Sequence, residues 1–478
     1  MTTFHLSAVA AAALLLLEGC AVGPDFKRPG PPAAAAFTAD VLPERGDQKI
    51  VAGADIPAAW WHAFGSPELD ALMTEALRAN PDLQAAQAAL RAAQETLRAQ
   101  QGVFFPTVQG GFDASRNRDA VGSLSPATAS AAPVYSLQSA HLNVTFALDV
   151  FGGNRRQTEV IAAQAEQQRY QTEGTYLTLT TNVAAAAVQE VSLRGQIAAT
   201  ERIIASETEA LGVLRRQSEL GQVAGADVVA EEAALAQTRA ALPPLQQKLA
   251  QQRAGLAVLV GRFPSDEPAA RFDFASLHLP EQLPLSLPAK LVDQRPDVRA
   301  AEANLHAATA AIGVATANML PSITLTANAG STLTAADALF APGTIFWNLA
   351  SELTQPIIEG GALLHKKRTA VAAAEQAAGQ YRSAVLTAFQ NVGDALHALE
   401  FDASTLREAE TAEHAAVESL DITRRQLDLG QVNGLALLNA ERTYQQSLLT
   451  SIQVRAARYS DAIALFQALG GGWWNRKD

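Results

Sequence analysis

Two stretches of this chain each run for more than about sixty residues without a proline. The first extends from Gly153 to about Leu220, with Pro133 before it and Pro243 after it. The second extends from Gly361 to about Asp428, and no proline occurs anywhere after Pro356. Beyond Gly153 the first stretch has three spaced glycines (Gly174, Gly195, Gly212) and is otherwise largely Ala, Gln, Glu, Arg, Leu and Thr. Those residues tolerate or favour a helix. A helix over 154–219 would be a rod of about 100 Å, whereas ordinary globular helices run three or four turns. Rods of this length require a coiled coil, a bundle stalk or a repeat.

The chain carries the rest of that pattern twice. Asn80-Pro81-Asp82-Leu83 matches Arg295-Pro296-Asp297-Val298, and Phe104-Phe105-Pro106 matches Met319-Leu320-Pro321, both at an offset of 215 (296 − 81; 321 − 106). Phe151-Gly152-Gly153 matches Glu359-Gly360-Gly361 at an offset of 208. Gln217-x-x-Leu220-Gly221-Gln222-Val223-x-Gly225 matches Gln426-x-x-Leu429-Gly430-Gln431-Val432-x-Gly434 at an offset of 209. Four landmarks in the same order predict an internally duplicated domain rather than a solenoid of many units.

Between the landmarks the period changes. Leu142, Val144, Phe146, Leu148 and Val150 alternate with Asn143, Thr145, Ala147 and Asp149, the signature of a strand with one apolar face. Thr107–Ser115 is a second strand, and Arg116–Pro133 reads as a loop rich in Ser, Ala, Asn and Pro. The second unit repeats this with Ile323, Leu325 and Ala327, a loop around Ser331–Gly343, and a strand over Ile345–Ile357. Ser66-Pro67 marks a helix start, and Asn80-Pro81-Asp82 marks another running to about Gln101. Return helices are expected over 226–260 and 435–469. In the second rod Val385, Phe389, Val392, Leu396, Leu399, Ala403 and Leu406 form a heptad seam. The first rod has smaller residues at matching places (Ala184, Val188, Val191, Gly195, Ala198), which predicts close helix approach.

Strands of about ten residues suit a tilted crossing of an outer membrane; a pair of soluble hairpins on a core is the alternative. In lipid, strands span only as a closed barrel, and four strands per chain fall below the bacterial minimum of about eight. A membrane barrel must therefore be shared between copies. Two copies would give a ring filled by side chains, and three, with 4 × 3 strands, one with a lumen.

The net charge of −12, from 36 basic and 48 acidic residues, argues against nucleic acid as a partner. The apolar run Ala8–Leu17 is too short to span a bilayer and leads into Leu17-Glu18-Gly19-Cys20. It reads as a signal-peptide core followed by a lipoprotein cleavage box that makes Cys20, the only cysteine, the lipidation site. The alternative is a lone core thiol. The segment departs from the usual pattern in having no Lys or Arg in Met1–His5 and a glutamate at position 18.

Cys20-Ala21-Val22-Gly23-Pro24-Asp25-Phe26-Lys27-Arg28-Pro29 resembles the lipidated N-terminal signature of TolC-type outer-membrane efflux lipoproteins, the outer-membrane factors of tripartite RND pumps. The duplicated Pro-Asp helix starts, the Leu-Gly-Gln-Val turns and the ending Ala468-Leu469-Gly470-Gly471-Gly472-Trp473 are similar to that family as well. The resemblance implies a mixed α+β membrane protein. Each chain of a homotrimer would give four strands to a 12-stranded barrel that continues into a periplasmic coiled-coil tunnel. It implies an exit duct working with a periplasmic adaptor and an inner-membrane RND-type transporter, and no cofactor. The exit duct of a type I protein-secretion system is the alternative. By the same resemblance, Gly221, Gln222, Val223, Gly225, Gly430, Gln431, Val432 and Gly434 form the tips that meet the adaptor. Asp421 and Asp428 become candidates for a gate at the tips, against a reading as a solvated face paired with Arg424 or Arg425. The expected organisation is a signal peptide (1–19), a lipidated extended arm (20–65), a first repeat (66–261), a Pro-rich linker (262–294), a second repeat (295–470) and a tail (471–478).

No enzyme site is legible. The eight histidines are scattered, and there is no His-Glu-x-x-His, Gly-x-Ser-x-Gly or phosphate-cradling loop. His397 and Glu400 alone are too few to ligate a metal.

Overall fold

The computed structural model describes residues 21–39, 48–118, 134–333 and 340–476. In order, the main elements are β1 (Lys49–Ala52), α1 (Pro67–Ala79), α2 (Pro81–Gln101), β2 (Thr107–Arg118), β3 (Val134–Leu148), α3 (Gly153–Glu219), α4 (Gly225–Leu259), β4 (Gln282–Leu285), α5 (Pro288–Gln294), α6 (Pro296–Ala317), β5 (Ser322–Leu333), β6 (Ile345–Thr354), α7 (Ala362–Asp428) and α8 (Gly434–Ala468). Both rods, α3 and α7, have 67 residues, and both return helices, α4 and α8, have 35. The helix starts follow the sequence signals: the Ser66 hydroxyl accepts from the Leu69 N–H at 3.3 Å, with Pro67 in the first turn.

The chain forms two compact units. Among the described residues, the first comprises 21–28, 91–118, 134–167, 301–333 and 340–380. Its sheet is antiparallel throughout, in the order β2-β3-β5-β6. Strand β3 begins at Val134, eight residues earlier than the alternation suggested, because Arg118 pairs with Val134 and carries the hairpin further. The chain after Ala21 is strapped onto this unit. The Val22 N–H donates to the Phe151 carbonyl at 3.1 Å. The buried Arg156 guanidinium binds the Val22 carbonyl at 3.1 Å, Asp25 at 2.6 Å and Glu159 at 2.8 Å. Phe26 stacks on His306 with ring centroids 4.4 Å apart, and Arg28 pairs with Glu302 at 2.9 Å.

The second unit comprises, among the described residues, 29–39, 48–90, 168–300 and 381–476, and holds the main core. Trp60 stacks on Phe466 at 5.2 Å, with Phe64, Leu69, Met73, Leu291 and Val392 packed in the same cluster. Burying side chains of this size is worth about 1.5–3 kcal/mol each. Most of the second rod's seam is buried, with Phe389 and Leu406 half-buried. On the first rod, Gly195 admits Ile452 so closely that a Cβ there would lie 3.1 Å from its methyl group, while Ala198 is exposed and outside any seam.

The extended N-terminal arm and the Pro-rich connection share a short ladder that the sequence did not show. β1 in the arm pairs in parallel with β4 in the connection, Lys49 opposite Gln282 through Ala52 opposite Leu285. Helix α4 also runs through Pro243-Pro244, although each proline removes an N–H from the ladder. Buried Leu235 and Leu256 anchor it on either side. Gly470, Gly471 and Gly472 all lie in the left-handed region, at φ 94°, 67° and 72°. Any side chain at Gly472 would strike the Ile56 and Pro57 carbonyls. The glycines deliver the tail back onto the unit, where the Trp473 indole donates to the Gln294 carbonyl at 2.7 Å and Arg476 forks onto Glu173 at 2.8 and 3.0 Å.

Candidate functional site: a two-faced sheet and twin helical turns

The register fixes which side chains share a face of the sheet, because residues directly opposite on antiparallel strands point the same way. Val108, Val144, Ala327 and Leu349 form one row across all four strands, and Leu142, Ala329 and Trp347 part of the next. This face is apolar and open: Phe112 is 64% exposed, Trp347 78% and Leu349 73%. On the other face Gln109, Asn143, Asn328 and Asn348 line up in a single row of amides. Among the described residues β2 and β6 pair on one side only, so both edges of the sheet are open.

The two turns predicted as tips have the same geometry. Gly221 (φ 72°) and Gly430 (φ 71°) each end a rod in the left-handed conformation. The Gln222 N–H donates to the Gln217 carbonyl at 2.8 Å, and the Gln431 N–H to the Gln426 carbonyl at 2.8 Å. This is the Schellman arrangement, which satisfies carbonyls that the helix end would otherwise orphan. Gln222, Gly225 and Gln431 are exposed. Val223 and Val432 turn inward onto a cluster of Leu214, Leu420, Leu427 and Leu437. Gly434 is buried where the two turns meet, and a Cβ on it would lie 3.1 Å from the Asp227 Cβ. Leu220 and Leu429, 73% and 71% exposed, are left bare beside the turns, as are Val229 and Leu435.

Asp421 and Asp428 lie two turns apart on α7, both exposed, and no ion pair to either carboxylate is found among the described residues. Arg425 donates to the Asp421 carbonyl oxygen at 3.2 Å, and Arg424 reaches instead to Ser206 and Glu441. Cys20 lies outside the described residues.

Sequence reasoning missed a buried carboxylate cluster close to these turns: Glu207, Glu231 and Glu441, exposed by 2%, 1% and 3%. The duplication carried no signal for it: Arg215 and Glu232 recur 209 residues later as Arg424 and Glu441, but the first pair is exposed and Glu441 alone of the four belongs to the cluster. Among the described residues no group of three or more His, Cys, Asp or Glu is placed to hold a metal ion, and no helix is long and apolar enough to cross a membrane.

A sheet that is apolar on one face and amide-lined on the other, joined to rods of 67 residues, defines an outer-membrane type of architecture. The chain belongs to the outer membrane efflux protein family, whose model matches residues 72–262 and 287–471. It is 30% identical to the pyoverdine export outer membrane protein OpmQ of Pseudomonas aeruginosa over 418 residues, 87% of each chain. It is 29% identical to the toluene efflux pump outer membrane protein TtgC of Pseudomonas putida over 468 residues, 96% of this chain and 94% of that one. Its fold superposes on the outer-membrane channel OprN with a TM-score of 0.86 at 25% identity, covering 95% of this chain and 100% of the other. The protein is thus an outer-membrane efflux component, and membership in this family makes it a conduit rather than an enzyme.

Proposed function

We propose that this chain is the exit duct of a tripartite efflux pump, passively conducting small molecules handed on by a periplasmic adaptor and an inner-membrane RND-type transporter. The observation that carries this reading is the sheet: one bare apolar face, one face lined by amides, and two open edges. Unpaired edge groups are not tolerated in lipid, so the sheet closes by joining further copies. Three copies give about twelve strands, enough for an aqueous lumen. The apolar row then faces lipid and the row of Gln109, Asn143, Asn328 and Asn348 faces the lumen. The chain is read as an internal duplication, with repeats over 66–261 and 295–470 joined by the linker 262–294. The rods form the periplasmic tunnel.

Residues 1–19 are a signal peptide in this reading, and Cys20 carries acyl chains at the head of the arm 20–65. Lipidation alone anchors weakly, so it supplements the barrel. The turns at Gly221, Gln222, Val223 and Gly225 and at Gly430, Gln431, Val432 and Gly434 meet the adaptor, with Leu220 and Leu429 as their apolar contacts. Asp421 and Asp428 line the constriction near those tips. The pyoverdine and toluene pumps named among the relatives favour small-molecule efflux over protein secretion.

The test uses the full chain purified in detergent. Native mass measurement is expected to return a three-copy particle, and planar bilayers are expected to show a conducting pore. Replacing Asp421 and Asp428 by Asn should raise the single-channel current. A monomer soluble without detergent overturns the duct; an unchanged current removes the two aspartates from the gate.

A further inference from the structure

Four helices meet around the buried carboxylates: α3 brings Ser206 and Glu207, α4 brings Glu231, Thr238 and Arg239, α7 brings Arg424, and α8 brings Glu441 and Arg442. Thr238 donates its hydroxyl to Glu207 Oε1 at 3.0 Å. Arg424 reaches Glu441 Oε1 at 3.4 Å and the Ser206 hydroxyl. Those contacts leave Glu207 Oε2, Glu441 Oε2 and both oxygens of Glu231 buried without a donor. The Glu231 and Glu441 carboxyls lie within hydrogen-bonding reach of each other.

Two carboxylate groups can bond to each other only if one carries a proton, and a buried carboxylate with no donor is among the costliest groups to leave ionised. Of the cations facing the cluster, Arg424 is the one among the described residues that bonds a member of it. Arg239 donates to Thr208, and Arg442 and Arg239 act on the acids from a distance.

We infer that Glu231 and Glu441 share one proton that locks the α3–α4 hairpin to the α7–α8 hairpin, and that losing it as pH rises loosens the two hairpins from each other. This adds a regulation that the exit-duct reading does not contain, and it holds whether or not the tips gate a pore.

The direction follows from linkage. Burial first, then the charges of Glu441 and Glu207, push the Glu231 carboxyl up to about 7; burial also raises Glu441 and Glu207, against Arg424 on the one and Thr238 on the other. A carboxyl raised in the packed state stabilises packing most below its ordinary value and loses that advantage as pH climbs through the raised one. The hairpins are therefore tightest in acid and loosen across neutrality. If the carboxyl returns to its ordinary range when the hairpins separate, the opening equilibrium shifts by up to about thirtyfold between about pH 5.5 and about pH 8.5.

Hydrogen exchange of the full-length protein in detergent, corrected for intrinsic rates, tests this over segments 203–238 and 424–448. Wild type should lose about tenfold or more in protection between those two pH values, and Glu231→Gln should stay protected at both. Infrared spectra near pH 6 should show a protonated-carboxyl band that Glu231→Gln removes. Unchanged protection in wild type, pH dependence persisting in Glu231→Gln, or absence of the band would each overturn the inference. Should Glu231→Gln not fold, Glu441→Gln replaces it with the same expected outcomes. None of these readouts depends on conduction, so they fail separately from the duct.

Discussion

Arg215 and Glu232 in the first hairpin and Arg424 and Glu441 in the second occupy matching positions, 209 residues apart (424 − 215; 441 − 232). The first pair sits in water at 2.5 Å, its side chains 56% and 44% exposed. In the second, at 3.4 Å, the glutamate is 3% exposed and its arginine also holds Ser206. The same two side chains thus do different work. A solvated pair contributes little to stability, whereas the inner one compensates part of a crowd of acids. The asymmetry extends along the rods. The start of α3 is covered by the N-terminal strap through Arg156, but Ile357 and Ile358 before α7 are 87% and 88% exposed and Leu364 within it 43%. Of the two rods, the second is the barer one.

Three sets of substitutions press on this comparison. The largest effect belongs to the sheet, where the halves should behave alike. Phe112→Arg on β2 and Leu349→Arg on β6 each place a charge on the apolar face, at a cost of about 2–4 kcal/mol near mid-membrane. Outer-membrane yield should fall for both and hold for Asn348→Arg on the opposite face. If only one half is sensitive, the two hairpins do not share a lipid-facing side.

At the arginines the halves should differ. Arg424→Ala strips the buried acids of their bonded cation and should cost about 2 kcal/mol at alkaline pH, while Arg215→Ala should cost under about 1 kcal/mol. Denaturant melts of the two variants give the comparison directly, and equal losses would erase it. The smallest contrast lies at the turns. Gly225→Ala meets nothing within 4 Å and should stabilise by about 0.5 kcal/mol, by stiffening the unfolded chain. Gly434→Ala presses on Asp227 and Leu214 and should cost a similar amount. Melting temperatures moving in opposite directions would support the tight meeting of the turns at Gly434.

The long elements were legible because proline and glycine punctuate this chain so sparsely. Rod ends expected at about Leu220 and about Asp428 lie within a residue of those seen, Glu219 and Asp428, since the left-handed glycine behind each is needed for its φ. The faces of the sheet were legible from alternation, and the register added the row of amides. What stayed hidden was nonlocal. β1 and β4 have four residues each, too few to show a period, and they pair across more than about 200 residues of chain. Glu207, Glu231 and Glu441 look like any helical glutamates in a sequence rich in them; only the packing of four helices sets them apart. The turn residues were found, but Gly225 and Gly434 read as equivalents until the structure showed one open and one crowded.

The N-terminal strap bears on how the protein is made. Arg28 meets Glu302 across 274 residues, and Phe26 and the neighbouring carbonyls likewise need partners from α6 and α3. A polypeptide threaded out of the cytoplasm head first cannot complete that clasp until well over half of it has been translocated. Arg156 can take up Val22 and Asp25 early, but Phe26 and Arg28 wait for α6, and contacts this distant in sequence form slowly. A chain truncated before Glu302 would keep the Arg156 contacts of its strap and lose the partner of Arg28.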